Sequence, residues 1–80
     1  MANRSVLVRS KEKLEEEIIK AGFSYRQLAK EANCSQSLIS LMLKGERNPS
    51  PEKAVNICKA LNCDFDAIFF INNDYKSNQK

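Results

Sequence analysis

Between Ser24 and Gly45 the chain reads SYRQLAKEANCSQSLISLMLKG, two short amphipathic patterns separated only by Asn33 and Cys34. One continuous helix would bury the same apolar residues more cheaply, because every helix end leaves backbone groups without intrahelical partners. So abrupt an interruption therefore imposes a geometry, in which two helices meet at a steep angle across a tight turn. Asn33 is, after glycine, the residue best able to take the left-handed backbone that such a turn needs. Ala29 is small where the two helices must approach closely, and Leu28, Ala32, Cys34, Ile39 and Met42 are assigned to their shared core. This assignment leaves Gln36, Ser37, Ser40 and Leu41 on the outward face of the later helix.

The flanking segments extend the pattern. Ser10 caps a helix running to about Ala21, with Leu14 and Ile18 as its apolar stripe and Gly22 as its stop. Its outer face is a solvated charge run that includes the well-oriented pair Glu16 and Lys20. Ser24 lies three residues before Gln27, a capping-box spacing, and opens a helix that ends near Ala32. Ser35 caps the next helix, at about 35–44, with Leu38, Ile39 and Met42 at helical spacing and Gly45 after it. Beyond the polar GERNPSP, Ser50 caps a fourth helix with Pro51 in its first turn and Ala54, Ile57, Cys58 and Leu61 on its buried face. The ends are open to two readings. SVLV at 5–8 and IFFI at 68–71 are β-prone and can pair as a two-strand ribbon, or residues 64–68 form a fifth short helix that brings Phe65, Ile68 and Phe69 to the core. Residues 1–74 form one domain and 75–80 a polar tail.

Eighty residues, 42% of them hydrophobic, can build one modest core but not a walled active-site cavity. The absence of histidine removes both the commonest general base and the commonest transition-metal ligand. No nucleophile, base and orienting group converge by a recognisable spacing, so a binding module is expected and an enzyme is not. Cys34, Cys58 and Cys63 are odd in number and show no Cys-x-x-Cys or Cys/His pairing, which argues against a disulfide framework and a zinc site. No metal, cofactor or small-molecule ligand is expected. The longest apolar run, Ala67 to Ile71, is too short for a membrane span, and no stretch resembles a signal peptide, so the expected compartment is a reducing cytoplasm. A net charge of +3 leans towards a polyanionic partner. Its distribution says more: Glu12, Glu15, Glu16 and Glu17 crowd the first helix, whereas Arg26, Lys30, Lys44, Arg47 and Lys53 fall mid-chain. One side is expected to be acidic and the other basic.

LAKEANCSQSLIS at 28–40, KGERNPSP at 44–51 and AVNICKALN at 54–62 resemble, in order and spacing, the helix-turn-helix domain of the lambda-repressor and Cro-like family, also called the Xre family. The resemblance covers about residues 10–70, with the helix-turn-helix core at 24–45. It implies an all-α, four- to five-helix DNA-binding domain, with or without a short terminal two-strand β-ribbon, whose third helix enters the DNA major groove. It puts base contacts at Gln36, Ser37, Ser40 and Leu41. A glutamine can pair with an adenine edge, a serine hydroxyl discriminates less, and leucine methyls can meet a thymine methyl. It puts phosphate contacts at Ser24 and Tyr25, through free backbone N–H groups and the side-chain hydroxyls, and at Lys44, Arg47 and Asn48 in the following loop. The partner so implied is a double-stranded operator, and the implied role is transcription regulation, most simply repression. A homodimer is expected, because one copy offers too few base contacts for useful selectivity. Phe65, Phe69, Phe70 and Ile71 are candidates for the dimer interface, the alternative being a cap over the first and fourth helices. The chain departs from the family pattern at Leu43 and Ile18, positions where many members pair an acidic residue with an arginine, so a hydrophobic contact would replace an ion pair. A competing reading is a protein-interaction module, such as an antitoxin-like or regulatory adaptor, that grips its partner through Leu41, Leu43 and the Phe-rich end.

Overall fold

Four serines start the long helices and four left-handed residues end them. A computed structural model describes residues 4–73, running β1 (Arg4–Val8), α1 (Lys11–Lys20), α2 (Tyr25–Glu31), α3 (Gln36–Lys44), α4 (Pro51–Leu61), α5 (Phe65–Ile68) and β2 (Phe69–Asn73). The hydroxyls of Ser10, Ser24, Ser35 and Ser50 each accept the main-chain N–H three residues on, at 3.1, 3.1, 3.0 and 3.3 Å. Each cap contributes about 1 kcal/mol, a large share for helices only two or three turns long. At Ser24 the box is complete, since Gln27 Oε1 accepts the Ser24 N–H in return at 3.0 Å. At the other ends Gly22, Asn33, Gly45 and Asn62 have φ of 77°, 57°, 78° and 55°. Each sets up the same pair of back-turned bonds. The Asn33 N–H donates to the Lys30 carbonyl and the Cys34 N–H to that of Ala29; Asn62 and Cys63 repeat the arrangement on Lys59 and Cys58. Asn62 thus ends α4 in the way the sequence assigned to Asn33 alone.

With the ends fixed, the apolar stripes converge. Leu14 and Ile18 of α1, Leu28 and Ala29 of α2, Ile39 and Met42 of α3, and Ala54, Ile57, Cys58 and Leu61 of α4 form one core, closed by Val6, Ile68 and Phe69. Among the described residues no polar or charged side chain is buried. Cys34 departs from its core assignment: it is half-buried and packs at the core's edge, because it is the first residue beyond the left-handed corner. Burial pushes the Cys58 thiol up to about 12, which keeps it protonated at neutral pH. No described helix is long and apolar enough to cross a membrane.

The two readings of the ends turn out to be consecutive rather than exclusive. α5 is a single turn, and at Phe69 the backbone opens to φ −123°, ψ 166°, carrying the chain directly into β2. β2 pairs antiparallel with β1, Val8 opposite Phe69 and Val6 opposite Ile71. Arg9 fastens this junction: its N–H donates to the Ile68 carbonyl at 2.6 Å, its Nε to the Asp66 carbonyl at 2.9 Å, and its guanidinium lies 5.3 Å from the Phe70 ring centroid. The proposed dimer residues are thereby divided. Phe69 is fully buried, which corrects its assignment to an intermolecular surface, and Phe65 packs against it with ring centroids 5.5 Å apart. Phe70 is half-buried, and Ile71 remains 54% exposed. The polar tail assigned to 75–80 lies outside the described residues.

Replacing Phe69 with alanine is expected to cost about 3–5 kcal/mol of unfolding free energy in a urea titration, while Ile71→Ala should stay within about 0.5 kcal/mol. Equal losses at the two positions would contradict the division just described.

Candidate nucleic-acid interface

The corner at Asn33 determines what α3 can present. Ile39 and Met42 are fully buried, so helical periodicity turns residues 36, 37, 40 and 41 together towards the opposite side. Gln36 and Ser37 are exposed, and Ser40 and Leu41, one turn later, are half-buried. All four residues read from sequence as base contacts therefore share one uncharged stripe. A concavity of about 420 Å³ runs alongside it, with Ser37, Leu38 and Leu41 on one wall and Arg47, Asn48 and Pro49 on the other.

Cations collect at the end of this ridge. Lys44 closes α3, and Arg47 and Asn48 follow in the exposed loop after Gly45. Asn48 Oδ1 accepts the Val8 N–H at 3.4 Å, which ties the loop to β1. Lys11 comes across from α1: its Nζ lies 3.3 Å from the point where a side-chain carbon on Gly45 would begin. Sequence reasoning missed Lys11 because no local signal connects the first turn of α1 with the end of α3.

The opposite flank, at the start of α2, differs from expectation. Ser24 uses both its N–H and its hydroxyl oxygen inside the capping box. The Tyr25 hydroxyl donates to Glu15 Oε2 at 3.1 Å, and burial together with that bond raises the phenol's pKa. Phosphate oxygens only accept hydrogen bonds, and the single Tyr25 proton is already given to Glu15. The Tyr25 hydroxyl expected to meet phosphate is thus engaged within the protein, whereas the Ser24 hydroxyl, which only accepts in the box, keeps its own proton to donate. This corner offers the Ser24 O–H, the first-turn main-chain N–H of Tyr25 and the exposed Arg26, a residue counted in the basic middle but given no role.

Among the described residues the ion pairs lie on α1, where Lys13 approaches Glu17 at 3.2 Å and Glu16 at 3.9 Å, and Lys20 approaches Glu16 at 4.0 Å. Glu17, hydrogen-bonded to Lys13, is the main reason that the lysine's pKa is raised. The acidic helix therefore offsets part of its own charge, and Arg26, Lys44 and Arg47 make no ion pair with it. Ile18 is fully buried and Leu43 packs half-buried on the same core, so the two positions where a hydrophobic contact was expected to replace an ion pair are both apolar and inward.

A helix-turn-helix family model matches residues 14–68, more than half of the chain, taking in α1 from Leu14 onward and the whole of α2, α3, α4 and α5. The chain belongs to the helix-turn-helix family, of the lambda-repressor-like (Xre) kind. Solved structures agree with the architecture. The restriction-modification controller protein C.AhdI from Aeromonas hydrophila superposes with a TM-score of 0.66 at 23% identity, over 71% of this chain and 86% of that one. The transcriptional regulator VanUg superposes at 0.63 with 29% identity, over 86% and 89%. The first likeness, at its low identity, speaks for the fold alone. No curated protein matches the chain by sequence.

A left-handed backbone costs a β-branched residue about 1–2 kcal/mol and glycine nothing. Asn33→Val should therefore lower stability by about that amount in chemical denaturation, and Asn33→Gly should leave it within about 0.5 kcal/mol.

Proposed function

We propose that this helix-turn-helix protein is a sequence-specific transcriptional regulator that binds operator DNA as a homodimer and represses by occupying its site. The observation that carries the reading is the stripe of Gln36, Ser37, Ser40 and Leu41, exposed or half-exposed and uncharged, bordered by Lys44, Arg47 and Lys11. The chemistry of the two zones suits the two parts of a DNA interface. Cations at the rim gain affinity from phosphates of any sequence, and an uncharged hydrogen-bonding ridge gains from particular base edges. Gln36 reads adenine through paired hydrogen bonds, Ser37 and Ser40 add less selective contacts, and Leu41 meets a thymine methyl. Lys44, Arg47 and Asn48 hold the backbone on one side, and the start of α2 holds it on the other through the main-chain N–H of Tyr25.

Two copies would set their α3 helices about 34 Å apart on one face of the duplex, doubling both kinds of contact. Phe70 and Ile71, with Phe65 at their edge, are the apolar residues of the original cluster that a second copy could reach. The adaptor reading is weakened by placement. Of the residues it would use, Leu43 and Phe69 pack on or in the core, which leaves Leu41 and, at the other end of the chain, Phe70 and Ile71.

Selection from a random duplex pool followed by salt titration tests the proposal. Binding should weaken steeply with salt, and Arg47→Ala should reduce the slope of log K against log salt by about one without changing sequence preference. Gln36→Ala should instead lower discrimination at one base pair by about 1–3 kcal/mol. Affinity that stays flat as salt rises, or unaltered preference in Gln36→Ala, would end the case for direct readout by α3.

A further inference from the structure

α2 ends in a way that its own backbone does not complete. The bonds from Asn33 and Cys34 satisfy the carbonyls of Lys30 and Ala29, and the Ala32 N–H satisfies that of Leu28. The carbonyls of Ala32 and Asn33 lie beyond these bonds, at the corner itself, and both are taken by side chains from α4. Asn56 Nδ2 donates to the Ala32 carbonyl at 3.2 Å, and Lys53 Nζ donates to that of Asn33. The two donors stand one turn apart on α4, which is anchored through the fully buried Ala54 and Ile57, each the next residue after one of them.

We propose that Asn56 and Lys53 are positioning residues for base recognition, clamping the turn between α2 and α3 so that the reading helix leaves it at one fixed angle. The inference rests on the reading of α3 as the DNA-reading helix and adds the device that aims it. α3 spans nine residues, or about 13 Å, so a tilt of about 10° at the corner would displace its far end by about 2 Å. Paired hydrogen bonds to a base edge do not survive errors of that size. An asparagine is well suited to the carbonyl of the buried Ala32, being an uncharged donor that needs no counter-ion. A lysine suits the Asn33 carbonyl, because a cation at the end of α2 also meets the negative end of that helix's dipole. Lys53 lines the concavity beside Arg47 and, from sequence, would be counted with the phosphate-binding cations. Its ammonium is directed at the protein's own backbone instead.

The two roles give opposite signatures in one experiment on the full chain, using wild type, Lys53→Met, Lys53→Arg and Asn56→Leu. Each is assayed on a selected duplex and on a single-base variant of it, across a salt series, at a temperature where circular dichroism shows that chain fully folded. A positioning role predicts that Lys53→Met and Asn56→Leu lose about tenfold in preference for the selected duplex, comparable to one paired base contact, with the salt slope unchanged. Lys53→Arg, which keeps a cationic donor, should restore most of the preference. Unchanged preference in Lys53→Met would overturn the proposal, as would a salt slope lowered by about one with preference intact, the mark of a phosphate contact. Lys53 is only partly buried and its replacement by Met should fold, so it decides the matter even if Asn56→Leu does not fold. A wild type that fails to discriminate the two duplexes would remove the reading of α3 itself and the proposal with it. Discrimination by wild type and by both variants alike would remove the proposal alone.

Discussion

A helix as short as α2 has few hydrogen bonds of its own, and the chain can turn sharply after it only if the last carbonyls find partners without the helix continuing. The left-handed backbone at Asn33 meets that condition. It brings the N–H groups of Asn33 and Cys34 back onto Lys30 and Ala29 and sends the chain off in a new direction. The rest of the interface depends on this corner. Were α2 and α3 one straight helix, Ile39 and Met42 would be carried away from Leu28 and Ala32, and the stripe at 36–41 would have no reason to face outward. Stability and presentation are set by the same few bonds.

The two ends of the chain contribute from a distance. β1 and β2 pair with each other, and the Arg9 contacts lock the strand ends to α5. Through Val8 the ribbon also reaches the loop after α3, whose Asn48 receives a main-chain donor. That loop carries the cations of the rim. A domain with so small a core relies on such ties, since burial alone leaves a margin of only a few kcal/mol.

Much of this was legible because it is local. Serine caps, the box at Ser24 and Gln27, the left-handed Asn33 and the buried face of α4 each depend on residues a few positions apart, and all occur where the sequence places them. Asn62 was equally local and went unremarked because Cys63, Asp64 and Phe65 after it gave no periodic pattern against which to recognise a stop. The terminal segments were ambiguous for a physical reason: Phe65 to Ile71 is apolar at both helical and strand spacing, and the chain uses it as both. The site was legible to the level of a stripe and a rim, but not to the level of who bonds whom. Tyr25 beside Glu15, Lys11 beside Gly45, and Lys53 and Asn56 at the corner are juxtapositions made by tertiary packing; the first changed the part assigned to Tyr25, and the others concern residues given no specific part. Composition could count Lys53 as a cation but not say that it bonds the Asn33 carbonyl.

In the function proposed, the corner at Asn33 holds α3 outward as the surface that meets the duplex. Residue-by-residue amide chemical-shift mapping of the folded chain, titrated with a selected duplex, tests it most directly. The largest shifts are expected on Ser35 to Leu41 and on Lys44 to Asn48, with the acidic face of α1 around Glu12 and Glu16 unaffected. Saturable binding that shifts α1 or the β-ribbon and leaves residues 35–41 unmoved would contradict it.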